Sequence, residues 1–450
     1  MQAAHADPVA PVLLALVWLG LGAALGGRLM QRLGVPAVVG ELGFGLLVGN
    51  LGYWIGSPTL MVLRTGEPVR RLAEWAWVHG ATLAEAARHL LPPGAATERV
   101  AAALATPAGL EAVSVYLFVD QVSRLAVVFL MFLVGLEMRL EELARVGVRA
   151  VAVAATGVVA PLVLGAAVVR WLAPAGLPRE LYIGGVLTAT SVGITARVLT
   201  DLHQMHRREA HLILGAAVVD DVLGLLLLAV LAAEVVGGGV TAGAMGALAA
   251  GAVVFVGGAM AAGLWVLPRL ARHRLWRRLE LGRARLAVGV VLAFLLAWVA
   301  SRIGLATIVG AFAAGVLVER LLGDAPAEQP SLRELLSPLE LLVVPLFFVL
   351  LGLEVRLETL ASRPALVLGG ALLGAAVAGK LAAGLAAGSG LRRWVVGLGM
   401  LPRGEVGLLF ASVGRSIGAL TDAEFSALVL VAVLTTLASP VLLARALQTE

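Results

Sequence analysis

The chain contains no cysteine. Disulfide frameworks, thiolate nucleophiles and cysteine-ligated metal sites are therefore excluded. Charged residues are also scarce, at 14% of the sequence, whereas a typical soluble domain has about 25%. Hydrophobic residues make up 60% of the 450-residue chain and the mean hydropathy is +0.97. These values predict a polytopic membrane protein.

Lysine is almost absent as well. Of the 34 basic residues, Lys380 is the single lysine and the other 33 are arginine. Lys380 lies inside the apolar stretch ALLGAAVAGKLAAGLAA. Arginine is effectively never deprotonated, whereas a buried lysine can lose its proton. We therefore expect this lysine to act within the membrane rather than to extend to the lipid headgroups.

Apolar runs of about 20 residues, the length that crosses a bilayer, predict thirteen helices. The N-terminus has no basic segment before its apolar run, which favours an uncleaved first helix over a signal peptide. The predicted spans lie at about 8–29, 33–53, 113–137, 147–172, 180–200, 209–235, 240–267, 284–302, 304–322, 337–355, 364–388, 393–415 and 423–446.

The connections between spans indicate the orientation in the membrane. The seventh connection holds seven arginines and the sixth holds no basic residue. By the positive-inside rule the N-terminus lies outside and the C-terminus in the cytoplasm, and a bacterial inner membrane is the expected location. Because the basic residues lie in short loops rather than on one face, nucleic acid is not an expected partner. The seven arginines are Arg269, Arg272, Arg274, Arg277, Arg278, Arg283 and Arg285.

The first half of the chain is repeated in the second. VGLEMRLEEL recurs as LGLEVRLETL at an offset of 217, and LGVPAVVGELGFGLLVG is echoed by IGLATIVGAFAAGVLVE at an offset of 270. Seven helices separate the members of each pair, so the halves run in opposite directions through the membrane. Inverted repeats are typical of secondary transporters, whose site lies at the midplane. The pairs are 134–143 with 351–360, and 33–49 with 303–319.

The offsets differ by 53 residues, which assigns extra sequence to the segment 54–112. Its runs are too short or too polar to span, and they predict amphipathic helices on the outer surface. The expected domains are a dimerisation or scaffold part, the extra segment, two repeat cores and a linker helix. The scaffold is placed at 1–53 and 284–322, the cores at 113–235 and 337–450, and the linker at 240–267.

Two adjacent aspartates, Asp220 and Asp221, interrupt the sixth span near its middle. Each carboxylate there costs about 2.5–3.5 kcal/mol on insertion scales. Ionisable residues inside a span usually face a polar cavity and mark an ion or proton path. Consecutive helical residues point about 100° apart, so we expect the two carboxylates to have different roles.

Corresponding weak points interrupt the fifth and twelfth spans. The fifth holds TATSVGIT, with the hydroxyls of Thr188, Thr190, Ser191 and Thr195, and the twelfth holds GMLPRGEVGLLF. The offset of 217 places 188–195 against 405–412. Because proline removes a backbone donor and glycine loosens a turn, we expect two broken, crossing helices at the midplane. Their hydroxyl and carbonyl oxygens suit a small hard cation.

These motifs together resemble the monovalent cation:proton antiporter superfamily over nearly the whole chain, the segment 54–112 excepted. The resemblance rests on VVDDVLG, TATSVGIT, FLVGLE, PLFFVLLGLE, the lone GK and GMLPRGEVGL. The paired aspartates resemble the electrogenic sodium/proton branch, whereas potassium/proton relatives look more like Gln-Asp and electroneutral exchangers like Asn-Asp. PRGE occurs in several branches and does not separate them.

The resemblance implies roles for individual residues. Asp221 alternately binds a cation (sodium or lithium) and a proton, and Asp220 pairs with Lys380. From the cost of a buried charge we further expect that sodium draws on both Asp220 and Asp221 and that Lys380 then releases a second proton. Thr190 and Ser191 are the expected further cation ligands. Thr188, Pro402, Arg403 and Glu405 are expected to support the broken helices. The resemblance also implies a homodimer in which a core moves against a dimerisation domain.

Other polar residues are expected to have lesser roles. Glu41 is an intramembrane acid whose repeat counterpart is Ala311, so helix packing or hydrogen bonding is expected of it. Glu137 and Glu354 are expected to be interfacial anchors beside Arg139 and Arg356. Arg403 and Glu405 are expected to pair with each other or with a fifth-helix dipole. The histidines of the DLHQMHRREAH junction, His203, His206 and His211, are expected to be solvated.

The sequence thus predicts an electrogenic sodium (or lithium)/proton antiporter that needs no cofactor. One alternative is a potassium/proton exchanger, and a second is a channel, whose flux is not coupled to protons. A third is an organic-anion symporter of similar architecture, against which the aspartate pair and membrane lysine argue. An enzyme is least expected, since no nucleophile–base constellation is visible.

Overall fold

The computed structural model describes most of the chain, and over this part every regular element is a helix, with no strand. The predicted all-α class is therefore confirmed. The described residues are 9–33, 35–66, 68–91, 93–136, 140–236, 243, 250, 251, 254, 255, 257–259, 261–266, 269, 282–303, 305, 307–322, 331–355, 357 and 363–448.

The α-helices over these residues follow the predicted spans, with four short helices added after the second. They are α1 Ala10–Arg32, α2 Ala37–Ile55, α3 Pro58–Thr65, α4 Pro68–His79, α5 Leu83–Leu90, α6 Ala95–Leu104, α7 Pro107–Leu136, α8 Leu140–Leu172, α9 Leu177–Val186, α10 Val192–Asp201, α11 Arg208–Val236, α12 Gly282–Arg302, α13 Thr307–Leu322, α14 Leu332–Leu353, α15 Arg363–Leu385, α16 Arg393–Gly399, α17 Glu405–Ser416 and α18 Asp422–Gln448. A π-helical turn lies at Ala262–Val266.

Among the described residues, eight helices are long and apolar enough to cross a membrane. The exact count of thirteen spans is not confirmed, and half of the predicted span 240–267 lies outside the described residues. The outward faces are apolar too: on α1, Leu14 and Leu25 are each 67% exposed. In a bilayer such side chains meet lipid of the same polarity, so exposure carries little cost. The eight are α1, α2, α7, the 147–172 part of α8, the 285–302 part of α12, α14, α15 and α18.

The chain forms two compact units. The first comprises residues 1–126 and 341–358, and the second comprises residues 127–340 and 359–450. Two of the three boundaries, at 126/127 and 340/341, fall within α7 and α14. The predicted assignment of scaffold, core and linker roles to individual helices stays a prediction.

The extra segment lies in the first unit and forms α3 to α6. Of these helices, α4 buries Val69, Leu72 and Ala76 on one side, while Trp77 is 89% exposed. The helices are thus amphipathic, as the sequence indicates. Their position at the outer membrane surface stays a prediction.

The fifth and twelfth spans are each broken, as predicted. The fifth divides into α9 and α10 around residues 187–191, and the twelfth into α16 and α17 around residues 400–404. The predicted register between them is wrong, because Val186 and Gly399 end the first halves at an offset of 213 rather than 217. The ends of α7 and α14, Leu136 and Leu353, keep the offset of 217. Between these points the second half has four fewer residues, a change that helix ends and loops can absorb without altering the order of the helices.

Candidate functional site

The aspartate pair lies in the middle of α11, and both side chains are buried. Asp220 is 1% exposed and Asp221 is 8% exposed. Leucine, valine and alanine surround them, and α11 stays helical through this point. Because adjacent helical residues diverge by about 100°, the two carboxylates meet different surroundings.

Lys380 on α15 contacts the first of these carboxylates. Its Nζ lies 3.2 Å from Oδ1 and 3.4 Å from Oδ2 of Asp220. The lysine side chain is fully buried. It also interacts electrostatically with Asp221, which attracts it, and with Arg403, which repels it. The structure thus brings Asp220 and Lys380 into direct contact, with Asp221 nearby.

The two broken spans cross at their breaks and are joined by hydrogen bonds. The Ser191 amide donates to the Pro402 carbonyl at 2.8 Å, and the Thr190 hydroxyl donates to the Met400 carbonyl at 3.2 Å. One turn further along, the Thr195 hydroxyl donates to the Gly399 carbonyl at 2.6 Å. Donors of the first break therefore satisfy carbonyls that the second break has released from helical bonding.

Arg403, on the second break, donates a hydrogen bond to the first break. Its Nη1 donates to the carbonyl of Ala189, and the residue is 3% exposed. The Arg403 carbonyl in turn accepts a hydrogen bond from the Thr436 hydroxyl on α18. Of the two partners expected for Arg403, the structure describes the backbone of the first break, whereas the Glu405 side chain lies outside the described residues. Thr188 bonds locally, donating to the Gly185 carbonyl at 2.8 Å.

The hydroxyl group of Ser191 is buried and is not used in hydrogen bonding over the described residues. Within the described part of the chain its Oγ has no hydrogen-bond partner, and the residue is 3% exposed. The oxygen faces Gly404, where an added Cβ would lie only 2.4 Å away. Because Gly399, Met400, Pro402 and Arg403 already accept hydrogen bonds through their carbonyls, Ser191 Oγ is a better candidate cation ligand than these four atoms.

The formal charges at the crossing balance. Asp220 and Asp221 contribute two negative charges, and Lys380 and Arg403 contribute two positive charges. Entry of a cation therefore leaves this group with an extra positive charge unless a proton leaves. Carboxylate and hydroxyl oxygens are hard ligands suited to sodium or lithium, so the arrangement is chemically able to exchange a cation for protons.

Two contacts that hold the crossing were missed at the sequence level. Thr436 holds the Arg403 carbonyl, and Tyr182 on α9 donates to the Phe410 carbonyl on α17 at 2.9 Å. Hydroxyl groups inside apolar spans were the available signal, but the same residues often bond within their own helix. Thr435, for example, donates to Val431 at 2.8 Å.

The remaining predicted residues lie elsewhere. Glu41 is buried on α2 in the first unit. Of the expected anchors Glu137 and Glu354 and their neighbouring arginines, the residues Glu137, Arg139 and Arg356 lie outside the described residues. The prediction that His211 is solvated is wrong: it lies on the first turns of α11 and is 5% exposed, because the helix begins at Arg208. His203 and His206 are exposed.

Comparison with known proteins agrees with this geometry. A family model described as "Sodium/hydrogen exchanger, transmembrane" matches residues 20–449. A relative in Synechocystis sp., the "High-affinity Na(+)/H(+) antiporter NhaS3", is 34% identical over 96% of this chain and 89% of its own. The "Na(+)/H(+)-K(+) antiporter GerN" of Bacillus cereus is 32% identical over 72% of this chain and 82% of its own.

Solved structures support the fold. The sodium proton antiporter MjNhaP1 from Methanocaldococcus jannaschii at pH 8 aligns with 98% of this chain and 99% of its own, with a TM-score of 0.53 and 16% identity. At this identity the likeness concerns the fold alone. The family match over most of the sequence goes further: the chain belongs to the transmembrane sodium/hydrogen exchanger family, within the monovalent cation:proton antiporter superfamily.

Proposed function

We propose that this protein is an electrogenic sodium (or lithium)/proton antiporter that works by alternating access. The observation that carries the proposal is the buried contact of Lys380 with Asp220, beside Asp221 and the crossing of the broken helices. The printed functions of relatives in Synechocystis sp. and Enterococcus hirae support sodium and protons as substrates. It is a secondary transporter and not an enzyme.

In this proposal Asp221 is the exchange group. It holds a proton in one half of the cycle and a sodium ion in the other, with Ser191 Oγ and Thr190 as further ligands. Since proton and cation compete for the same carboxylate, the gradient of one drives the other without ATP. Asp220 is paired with Lys380 while the proton is bound, so the two carboxyl groups and the lysine together carry no net charge, and Arg403 keeps its own positive charge.

Sodium binding disturbs that pair. The ion draws on both carboxylates, and the lysine then loses its counter-charge inside a fully buried site. An isolated ammonium in such surroundings is costly, so Lys380 releases its proton while Asp221 releases another. Two protons are thus exchanged for one sodium ion, and one net charge crosses per cycle. An arginine could hold the pair but could not release the proton.

Potassium/proton exchange is the second candidate. It is favoured by the similarity to a relative whose printed name includes potassium as well as sodium. The hard oxygen ligands proposed here do not by themselves separate the two ions. Proton flux in proteoliposomes challenged in turn with sodium, lithium and potassium distinguishes them, and cation flux without proton movement would indicate a channel.

The assignment of Asp221 is tested by Asp221→Asn. The amide keeps the shape of the side chain but can neither release a proton nor balance a cation, so exchange should fall to the level of empty liposomes while the protein remains folded. Asp422→Asn is the matched control, because that carboxylate is 82% exposed at the start of α18. Sodium-driven proton movement that persists in Asp221→Asn would contradict the assignment.

The assembly and location belong to the same proposal. We expect a homodimer in a bacterial inner membrane, with the N-terminus outside and the C-terminus in the cytoplasm. The arginine-rich connection 269–285 supports this orientation through the positive-inside rule. Accessibility labelling of cysteines introduced at 270 and at 238, on the seventh and sixth connections, distinguishes the two orientations.

A further inference from the structure

Helix α8 carries a proline in its interior, Pro161. A proline has no N–H, so the carbonyl four residues earlier, that of Gly157, lacks its helical donor. Both residues are buried. In hydrocarbon there is no water to satisfy such a carbonyl, and a neighbouring helix or side chain is the usual source of a donor.

The side chain nearest to this position is that of Lys380. A Cβ added at Gly157 would lie 3.3 Å from Lys380 Nζ and 3.4 Å from Ala383 Cβ. The preceding residue on α15, Gly379, packs so closely on Pro161 that an added Cβ would lie 2.6 Å from its nitrogen. Two glycines therefore allow α8 and α15 to approach at the level of the lysine headgroup.

The ammonium group of Lys380 has more N–H groups than hydrogen bonds to the described residues. An ammonium carries three N–H groups, and within the described residues its hydrogen bonds go to the two oxygens of Asp220. Gly157, whose carbonyl is short of a donor, thus lies beside a nitrogen with remaining donors. The contact through Asp220 is the one that sodium disturbs in the proposed cycle.

We propose that the carbonyl of Gly157 is the second hydrogen-bond position of Lys380, occupied when Asp220 turns to the bound cation. Gly157 and Pro161 are then positioning residues: the glycine leaves room for the nitrogen, and the proline keeps the carbonyl available. The neutral amine that remains after proton release still has two N–H groups, one of which the carbonyl accepts. This inference rests on the proposed function, because it needs Lys380 to leave Asp220 on cation binding.

The test measures sodium affinity in purified protein through sodium-dependent thermal stabilisation, which requires no turnover. Pro161→Ala restores an N–H to the Gly157 carbonyl, and this donor then competes with the lysine for the carbonyl oxygen. Since the carbonyl stabilises the cation-loaded state, the variant should bind sodium roughly three- to tenfold more weakly, the range for one hydrogen bond. Its thermal stability without sodium should match or exceed that of the parent.

Two further glycine variants separate this effect from general packing. Gly157→Ala places a methyl group against the nitrogen and should weaken sodium binding in the same direction. Gly147→Ala makes the same change on the same helix, where nothing lies within 4 Å of the added Cβ, and should leave sodium affinity at the parent value.

The decisive comparison repeats Pro161→Ala in a Lys380→Met background, which has no donor. There the proline substitution should no longer change sodium affinity. Parent affinity in Pro161→Ala alone, or an equal loss in both backgrounds, would overturn the inference while leaving the proposed function intact. Failure of the folded Lys380→Met protein to bind sodium would instead show that cation binding needs the lysine, which contradicts its proposed role as the partner that sodium displaces from Asp220 and overturns both proposals.

Discussion

Replacing Lys380 with glutamine tests how charge is moved. In the structure the lysine nitrogen lies 3.2 Å from Asp220 and its side chain is fully buried. Glutamine keeps a polar side chain of moderate length but carries no charge and no releasable proton. If the lysine supplies the second proton, the parent exchanges two protons per sodium with one net charge. Lys380→Gln should then exchange one proton per sodium and move no net charge.

The expected magnitude follows from this single charge. Moving one elementary charge through 100 mV corresponds to about 2.3 kcal/mol, or roughly 50-fold in an equilibrium ratio. At equal pH on both sides, the sodium gradient that stops net flux should therefore shift about 50-fold per 100 mV in the parent. In Lys380→Gln it should not depend on the potential.

The assay is a null-point measurement in proteoliposomes with an imposed membrane potential, supported by sodium-induced currents on a supported membrane. Lys380→Arg is the matched variant, since arginine holds a charge beside Asp220 but does not release its proton. Gly374→Ala on the same helix, where nothing lies within 4 Å of the added Cβ, controls for substitution in α15.

An active Lys380→Gln protein whose null point still shifts about 50-fold per 100 mV would refute this reasoning and leave Lys380 a structural role. The double variant Asp220→Asn/Lys380→Gln then locates the remaining proton. If the voltage dependence disappears only in the double variant, Asp220 carries the second proton.

Three further outcomes are expected. Sodium affinity should fall by up to about a hundredfold per pH unit on acidification, the limit when binding of one cation releases two protons; an affinity that is flat from acid to alkaline pH, measured by initial rates, would exclude competition. Gly404→Ala should strongly reduce exchange because its Cβ would lie 2.4 Å from Ser191 Oγ, whereas Gly407→Ala, with nothing within 4 Å, should be tolerated; equal rates in the two variants would contradict the close approach. In the extra segment, the hydrogen bonds from the backbone and hydroxyl of Thr82 lower the pKa of Glu85 below its ordinary 4.5. This cap therefore stabilises α5 fully above pH 4.5, and the stabilisation is lost as the pH falls through the lowered pKa of Glu85. Thr82→Ala should accordingly speed amide hydrogen exchange in α5 more at pH 7 than at about pH 3, and a pH-independent effect would show that the carboxylate is not involved.

The all-helical class and the two broken spans could be predicted because both depend on local chemistry. A span needs about 20 apolar residues wherever it occurs. A break needs residues that weaken helical hydrogen bonds, and Pro402 and Gly404 predict such a break in the twelfth span. The register between the two breaks was wrong by four residues, because repeat matching assumes equal connections and the two halves differ in length between the motifs.

The residues of the candidate site could be predicted from the sequence, but the contacts among them could not. An aspartate pair and a lone lysine inside apolar spans are visible as exceptions to composition, since ionisable groups there are costly. That Asp220 rather than Asp221 contacts Lys380 in this chain depends on how α11 and α15 are rotated and packed. Their separation in the sequence, 160 residues, contains no information on that rotation.

Tertiary structure alone decided which polar groups support the crossing. Thr435 and Thr436 are adjacent and chemically identical, yet the first bonds within its own helix and the second bonds to Arg403. Their side chains point about 100° apart, and only packing determines which of them meets the break. The sequence thus determined the membrane class, the breaks and the residues able to carry charge. Helix packing determined their partners, because hydrogen bonds and ion pairs depend on distances that a linear pattern does not contain.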